Sequence, residues 1–418
     1  MEKKIYGLLG ERLSHSYSPE IHAALGDYEY RLFEMEEAAV PAFLASDRFE
    51  AINVTIPYKK TVIPYLTEIS DAAKKIGSVN TITHRPGGGL RGDNTDYYGF
   101  AHMLDTAGIH VSGKKCLILG SGGASMTAIA VVTDRGGTPV VISRSGENHY
   151  GNIARHADAD VIINTTPVGM YPNNGVSPVD LAVFDHLSGV VDMIYNPCRT
   201  KLIQDALVRG IPAVSGLVML VAQAKRASEL FFDRSLPDSV IEEVTRTVRA
   251  AKENIVLIGM PGCGKSTAGR ALAEAIGFDF ADTDEEIVQI SGRTPAEIIR
   301  EDGEDAFRRI EHEAAMNLGK RSGCVIATGG GIVTRRENYA PLSQNGTLVF
   351  LTRPVDELSS AGRPLSQAQG VQALYEKRLP LYEAWADVRA ACLENPAQTA
   401  AGILAALRKN EETTGGST

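Results

Sequence analysis

The stretch Ile255-Val-Leu-Ile-Gly259-Met-Pro-Gly-Cys-Gly264-Lys265-Ser266 decides half of the fold. Four apolar residues run into Gly-x-x-x-x-Gly-Lys-Ser, and a helical pattern follows. This is a strand–loop–helix unit of the kind that cradles nucleotide phosphates. Glycines let successive backbone N–H groups turn inward, and the helix adds its positive N-terminus. Gly262, Cys263, Gly264, Lys265, Ser266 and Thr267 are the expected nucleotide contacts. Lys265 is expected to reach the β- and γ-phosphates of ATP or GTP, and the Ser266 hydroxyl to ligate Mg²⁺. Far earlier, Cys116-Leu-Ile-Leu-Gly120-Ser-Gly122-Gly123-Ala124-Ser125 is a second strand–glycine loop–helix unit. It is of the dinucleotide class, with Ser125 where the third glycine of that fingerprint would stand. Two phosphate loops of different class in one chain predict two enzymes fused.

The rest of the 418-residue chain fits that division, since its length corresponds to two or three domains. It carries 42 basic and 51 acidic side chains, a net charge of −9 that argues against a nucleic-acid partner. No apolar run is long enough to span a membrane. The start, Met1-Glu-Lys-Lys-Ile-Tyr-Gly, lacks the apolar core of a signal peptide. Five scattered cysteines without a C-x-x-C pair fit a reducing cytoplasm and no structural zinc. A cytoplasmic location follows, with no membrane or nucleic acid bound. A second copy of the chain is the one macromolecular partner left open.

Short apolar runs alternate with helical patterns throughout, the signature of an α/β fold. The domain boundary is expected between Phe232 and Asn254, where Asp233-Arg-Ser-Leu-Pro237-Asp-Ser has turn chemistry. Val240 to Glu253 reads as a polar amphipathic helix that either closes the first unit or acts as a spacer. From Lys409 to Thr418 nothing apolar remains to bury, and a disordered tail is expected.

Around the second phosphate loop stands a constellation. Phe280-Ala-Asp282-Thr-Asp284 places two carboxylates at i, i+2 on a segment read as extended, where they share a face. Gly303-Glu304-Asp-Ala-Phe307-Arg308-Arg309-Ile-Glu311, Thr328-Gly329-Gly330-Gly331, Arg363-Pro364-Leu365 and Tyr375-Glu-Lys-Arg378-Leu-Pro380-Leu-Tyr382 follow. In this order they resemble shikimate kinase from about 254 to 400. The resemblance implies a P-loop domain over 254–408 with a parallel sheet. It implies Asp282 in the Mg²⁺ shell with Ser266, and Asp284 on the ring hydroxyls, activating the one phosphorylated. Arg308 and Arg378 would hold the substrate carboxylate, a task suited to the guanidinium fork. Gly330 and Gly331 would let backbone approach the ring. Arg363 would be the lid arginine on the transferring phosphate. Only Ser359 to Gly362 precede it, a shorter lid than the family usually has.

The first half holds Ser14-His-Ser16-Tyr-Ser18-Pro19, with a helix expected near Pro19, and Asn53-Val-Thr55-Ile-Pro57-Tyr-Lys59. Ser78-Val-Asn80-Thr-Ile, Gly92-Asp93-Asn94-Thr95-Asp96, Asn164-Thr-Thr-Pro167-Val-Gly169-Met170, Asp192-Met193-Ile-Tyr195-Asn-Pro197 and Gly216-Leu-Val-Met219-Leu220-Val-Ala-Gln223 follow. The set resembles shikimate dehydrogenase over about 1–235. Reducing a ketone needs a hydride donor and a proton donor, and Lys59 held by Asp96 is the candidate pair. The resemblance implies that Ser16, Ser18, Thr55, Asn80 and Gln223 bind the substrate, with Tyr195 close by. It also places Gly120, Gly122, Gly123, Ala124, Met193 and Gly216 on the nicotinamide cofactor. Ser143-Arg144-Ser145 closes the next strand without an acid, and an arginine there suits the 2′-phosphate of NADP(H). The stretch from Asn148 to Ile163 is shorter than usual for the family, so a strand–helix element is expected to be missing.

The fold expected is therefore α/β: a two-lobed shikimate dehydrogenase-like unit followed by a P-loop kinase domain. Residues 1–100 form the substrate lobe, completed by about 215–250, and 101–214 the Rossmann-like NADP lobe. The implied activities are consecutive. 3-Dehydroshikimate is reduced to shikimate with NADPH, and shikimate is then phosphorylated at its 3-hydroxyl with MgATP. The cofactors implied are NADP(H), ATP and Mg²⁺.

Overall fold

The structure, a computed structural model, describes residues 5–13, 16–358 and 370–414. The chain divides into two compact units. One comprises Met1–Met170, Val176–Tyr195 and Asp205–Val248, and the other Tyr171–Gly175, Asn196–Gln204 and Arg249–Thr418.

The first unit contains two sheets. β1 (Ile5–Gly10), β2 (Glu29–Glu34), β3 (Ala51–Val54), β4 (Glu68–Ile69), β5 (Thr81–His84) and β6 (Leu90–Asp93) form a mixed sheet in the order β2-β1-β3-β5-β6-β4. β1 is almost wholly buried, whereas the polar β2 forms an edge. β1 runs parallel to β2 and β3, and β5 runs antiparallel to β3 and β6. β7 (Lys115–Leu119), β8 (Thr138–Ile142), β9 (Val161–Asn164), β10 (Gly189–Asp192) and β11 (Ala213–Ser215) form a parallel sheet in the order β11-β10-β9-β7-β8. β9 and β10 are buried throughout, as strands covered on both faces must be, and are apolar up to Asn164 and Asp192 at their carboxyl ends. From β7 the chain steps to β8 on one side and then crosses to β9 on the other. That reversal opens a crevice at the carboxyl ends of the strands.

Between β8 and β9 there is no α-helix. A single bridge joins Ser143 to His149, and a 3₁₀ stretch, Tyr150–His156, leads into β9. The strand–helix element expected to be missing is indeed reduced to this. The helix Ser239–Lys252 buries Ile241, Val244 and Val248 against Tyr17, Ile21, Leu25 and the helix Leu217–Phe232. It therefore packs into the core of the first unit, resolving the alternative between cap and spacer.

The second unit is built on β12 (Asn254–Ile258), β13 (Asp279–Asp282), β14 (Cys324–Ala327), β15 (Gly346–Thr352) and β16 (Val388–Ala391). They form a parallel sheet in the order β13-β14-β12-β15-β16. β12 lies at its centre and is fully buried. Two short segments, 171–175 and 196–204, group with this unit although they interrupt the region read as one cofactor lobe over 101–214. Arg199 explains the second of them. Its guanidinium donates to the Ser343 and Gly346 carbonyls and to Glu253 at 2.7–2.9 Å.

The tail departs from expectation. The helix Pro396–Thr414 continues through Lys409 as far as Thr414, so the stretch read as disordered from Lys409 is helical to that point. Lys, Asn and Glu extend an already nucleated alanine-rich helix at little cost, even with nothing to bury.

One buried group gives the first unit a pH dependence. His22 is buried, stacks on Tyr30 with ring centroids 3.9 Å apart, and pairs with the Tyr28 hydroxyl at 2.6 Å. Burial holds it down at about 3, against its ordinary 6.5, while a hydrogen bond with Asn53 pulls the other way. The folded form thus binds fewer protons than the unfolded chain between these values. Its stabilising share is complete above pH 6.5 and is lost as pH falls from there toward 3. In urea titrations of the full chain, His22→Phe is expected to flatten the acid loss of stability of this unit; an unchanged slope contradicts this.

Candidate active sites

In the first unit four chain segments converge. Lys59 lies just past β3, and Asp96 opens the helix Asp96–Thr106. Lys59 Nζ and Asp96 Oδ2 form an ion pair at 2.6 Å, with the carboxylate buried and the ammonium about a quarter exposed. Asn80, at the threshold of β5, donates its Nδ2 to Asp96 Oδ1 at 2.9 Å and to Gln223 Oε1 at 3.4 Å. Gln223 comes from the helix Leu217–Phe232. A Cβ on Gly99 would lie 2.7 Å from the Met219 carbonyl, so glycine there lets these two helices cross closely. Beyond the crossing, Lys225 is nearly inaccessible and pairs with Glu229 and Asp238 at 2.8 Å each. It also donates to the Tyr98 hydroxyl at 3.3 Å. This clamp ties the helix of Asp96 to the helix of Gln223.

Lys59, Asp96, Asn80 and Gln223, predicted from four separate motifs, therefore meet. Ser16 accepts from the Ser18 N–H at 3.2 Å where the helix Ser18–Leu25 starts, one residue before Pro19. Tyr30 connects this corner inward. Burial pushes its phenol well up, and a hydrogen bond from Ser18 draws it partly back. Tyr195 lies 5.1 Å from Tyr17, ring to ring, and burial raises its phenol too. Thr55 follows β3 and is hydrogen-bonded through its N–H to the Leu9 carbonyl at 2.9 Å.

The dinucleotide loop lies at the end of β7. Gly120 has φ +104°, and a Cβ there would strike Thr165 and Thr166. Gly122 and Gly123 face open space, and the helix Gly123–Asp134, which includes Ala124, starts there. Ser125 hydrogen-bonds back to the Gly122 carbonyl at 2.6 Å, so the residue replacing the third glycine ties down the first turn. Met193 and Gly216 meet, since a Cβ on Gly216 would lie 2.1 Å from the Met193 carbonyl. Ser143, Arg144 and Ser145 follow β8, with Arg144 beside Tyr150. Open glycine backbone, a helix start and a cation one strand away suit a phosphorylated dinucleotide.

In the second unit a cavity of about 580 Å³ is lined by the phosphate loop, Asp282, Asp284, Arg308, the Gly329–Gly331 turn and Arg378. Gly262 and Gly264 take φ of +81° and +98°, as an inward-turning loop requires. Cys263 is fully buried, and Thr267 follows Ser266 along the cavity wall. Lys265 is folded onto the loop, donating to the Gly259 and Met260 carbonyls at 2.9 Å. The Ser266 hydroxyl donates to Asp282 Oδ2 at 2.6 Å. Two hard oxygen donors, one of them anionic, beside a phosphate loop fit Mg²⁺, which takes few protein ligands and keeps its waters.

One expectation about this site is corrected. Asp282 and Asp284 do not share the face of a strand. Asp282 ends β13 and caps the helix Thr283–Ser291, its Oδ1 accepting the Asp284 N–H at 2.9 Å. The helix turn, not strand alternation, brings both carboxylates to the cavity.

Arg308 is buried on the helix Glu304–Leu318, held by Glu311 at 2.6 Å and Glu304 at 3.0 Å. Burial pushes the Glu311 carboxyl up, against the pull of Arg308. Arg378 donates to the Gly330 carbonyl at 3.2 Å. A Cβ on Gly331 would lie 2.3 Å from the Arg308 guanidinium, and one on Gly330 2.4 Å from Pro261. These glycines are thus required by Arg308 and the phosphate loop. Arg363 lies outside the described residues. Sequence reasoning assigned no role to Asn53, Thr81, Thr95, Lys225 or Glu311. Four of these stand in quoted motifs, but each acts through partners distant in sequence or on another helical turn.

Fold and geometry together define a nicotinamide-dependent reductase unit and a P-loop phosphotransferase unit. Residues 8–82 match the family model of the shikimate dehydrogenase substrate binding domain, and residues 261–408 match that of shikimate kinase. The shikimate dehydrogenase (NADP(+)) of Clostridium perfringens strain 13 is 36% identical over 267 residues, covering 58% of this chain and 98% of its own. That of Moorella thermoacetica is 33% identical over 292 residues, covering 62% and 97%. A chorismate mutase/shikimate 5-dehydrogenase fusion protein from Clostridium acetobutylicum superposes with a TM-score of 0.57 at 37% identity, covering 59% of this chain and 97% of that one. Shikimate 5-dehydrogenase from Thermus thermophilus, in complex with NADP(H) and shikimate, gives 0.54 at 27% identity, covering 59% and 99%. The chain belongs to the shikimate dehydrogenase family, and it carries a shikimate kinase domain in its second half.

The Lys225 clamp is testable by itself. Lys225→Met removes the nearest cation from the buried Glu229, though Arg226 still neutralises it at 2.9 Å, while Asp238 is largely exposed and keeps the Tyr98 hydroxyl. The expected loss is about 2 kcal/mol, below the range for an unrelieved buried pair. Urea denaturation reads it, and an unchanged midpoint contradicts it.

Proposed function

We propose that the first unit reduces 3-dehydroshikimate to shikimate with NADPH, through Lys59 and Asp96, and that the second phosphorylates shikimate with MgATP. The observation that carries this reading is the pairing of chemistries. One unit presents an ammonium–carboxylate pair ringed by amides, and the other a phosphate loop facing two buried arginines. Both suit the same small polyhydroxylated carboxylate. The sheet of β1–β6 forms the lobe that takes the substrate, and the sheet of β7–β11 the lobe that takes the dinucleotide. Among the described residues no helix is long and apolar enough to cross a membrane, and all five cysteines are free. Small molecules in the cytoplasm, rather than nucleic acid or lipid, are its partners.

NADPH supplies the hydride when bound. Lys59 donates a proton to the carbonyl oxygen as the alcohol forms, and in reverse takes the alcohol proton. Asp96 Oδ2 fixes the ammonium, while Asn80 and Gln223 offer amide groups to the ring hydroxyls. Ser16, Ser18 and Thr55 hold the remaining polar edge beside Tyr195. Arg144 neutralises the 2′-phosphate. In the second unit Arg308 and Arg378 grip the carboxylate. Asp284 takes the proton of the attacking hydroxyl, and Lys265 leaves the Gly259 and Met260 carbonyls for the ATP phosphates. Ser266 and Asp282 would hold Mg²⁺, whose charge would offset that of the phosphates.

Two substitutions separate the halves. Lys59→Met is expected to cut NADPH oxidation by about 10³-fold, in the range of a lost general acid, and to leave phosphorylation intact. Asp284→Asn is expected to do the converse. If either variant loses both activities, or neither, this assignment fails. Arg144→Ala should raise the KM for NADPH about tenfold, the loss of one charge-assisted contact, and spare that for NADH. Equal effects on both cofactors exclude the 2′-phosphate role.

A further inference from the structure

A chain of hydrogen bonds, half-buried at its outer end and buried at its inner end, runs through the first unit to the Lys59–Asp96 pair, and its direction is fixed. The antiparallel register of β3 and β5 sets Asn53 directly opposite Thr81. The Tyr30 hydroxyl donates to Asn53 Oδ1 at 2.8 Å, and Asn53 Nδ2 donates to Thr81 Oγ1 at 3.1 Å. The Thr81 hydroxyl then donates to Asn80 Oδ1 at 3.0 Å, and Asn80 Nδ2 to Asp96 Oδ1 at 2.9 Å.

Each amide in such a chain could in principle be turned end for end, but two backbone groups forbid it here. Asn53 Nδ2 also reaches the Asn80 carbonyl at 3.3 Å, and a carbonyl only accepts. Asn80 Oδ1 accepts the Thr95 N–H at 2.8 Å, and an N–H only donates. The Thr95 hydroxyl settles nothing, because it lies 3.2 Å from Asn80 Oδ1 and 3.1 Å from Nδ2. Thr81 is the link between the two pinned ends. It receives Asn53 on a lone pair, and its own proton goes to Asn80 Oδ1 at 3.0 Å in preference to the Thr95 hydroxyl at 3.5 Å. Thr81 is fully buried and Asn80 nearly so, leaving no water to replace a lost partner.

We propose that Thr81, supported by Asn53 and Tyr30, is a positioning residue for the reduction: as the second donor on Asn80 Oδ1, beside the Thr95 N–H, it holds the amide in place so that Nδ2 stays on Asp96 and at the substrate. This role rests on the reading of Lys59 and Asp96 as the proton-transfer pair. With the hydroxyl gone, Asn80 Oδ1 keeps the Thr95 N–H as its one fixed donor, and the amide, no longer held from two sides, shifts against Asp96. The Nδ2 bond to Asp96 Oδ1 then lengthens, and the carboxylate that holds Lys59 loses part of a charge-assisted partner.

The test is steady-state kinetics of the full chain in both directions of the dehydrogenase reaction. Thr81→Val keeps the shape and removes the hydroxyl. It is expected to lower kcat about tenfold, the scale of one hydrogen bond to a charged group, with the KM for NADPH unchanged. Thr81→Ser should restore kcat to within about twofold, since it keeps the hydrogen bond. Tyr30→Phe, which removes only the far hydroxyl, should give a smaller loss of the same kind. Asn53→Leu combined with Thr81→Val should be no worse than the poorer single variant, as groups in one chain do not add. Wild-type kcat in Thr81→Val overturns the proposal. So do failure of serine to rescue and multiplied losses in the double variant, each of which indicates packing alone. An inactive wild-type chain, by contrast, would sink the functional reading itself, and this role with it.

Discussion

An anion can rest against bare backbone only where a strand hands over to a helix through residues without side chains. Both parallel sheets are organised by that constraint. At the end of β7, Gly122 and Gly123 leave open space in front of a helix start. At the end of β12, Gly262 and Gly264 take left-handed backbone so that the loop can turn inward. In the proposed function the rest of each unit supplies what the glycines cannot: a cation to match the phosphate, and side chains to hold and activate the partner substrate. The candidate cations come from different directions, Arg144 from the end of the neighbouring strand and Lys265 from the loop itself.

Charge is placed by burial and pairing in both units, but for different ends. In the first unit the Lys59–Asp96 pair keeps its ammonium partly open to solvent, as the proposed exchange of a proton with a ligand requires. In the second, Arg308 is buried and held by Glu311 and Glu304, which suits the proposed role of gripping a carboxylate. Glu311 carries the cost, its carboxyl driven up by desolvation. The buried Lys225 clamp belongs to a third kind. It fixes the crossing of two helices and so sets how far apart Asp96 and Gln223 stand.

What the sequence disclosed was what is local. The two phosphate loops, Lys59, Asp96 and the arginine pair lie in short motifs whose chemistry is intelligible without the fold. Asp282 and Asp284 were misread as a strand pair, although Asp282-Thr-Asp-Glu285 carries the spacing of a capping box, the signal for a helix start. The turn of the chain past Lys409 was hidden for a related reason. Composition reports what cannot be buried, and a helix already under way needs little burial to continue. The segments 171–175 and 196–204 were not separable by any local signal, since Arg199 finds Glu253 more than fifty residues away and the Ser343 and Gly346 carbonyls well over a hundred. Thr81 and Asn53 were invisible for the same physical reason: their pairing is a property of strand register, which no single motif states.

The central claim is that one chain makes and then consumes the same hydroxy acid. The direct test is to mix the purified full chain with 3-dehydroshikimate and NADPH, add MgATP afterwards, and follow the products by mass spectrometry. The account predicts shikimate first, with shikimate 3-phosphate only after ATP is added. NADPH oxidation without any phosphate ester would contradict the kinase assignment, and no oxidation at all would contradict the reading of Lys59 and Asp96.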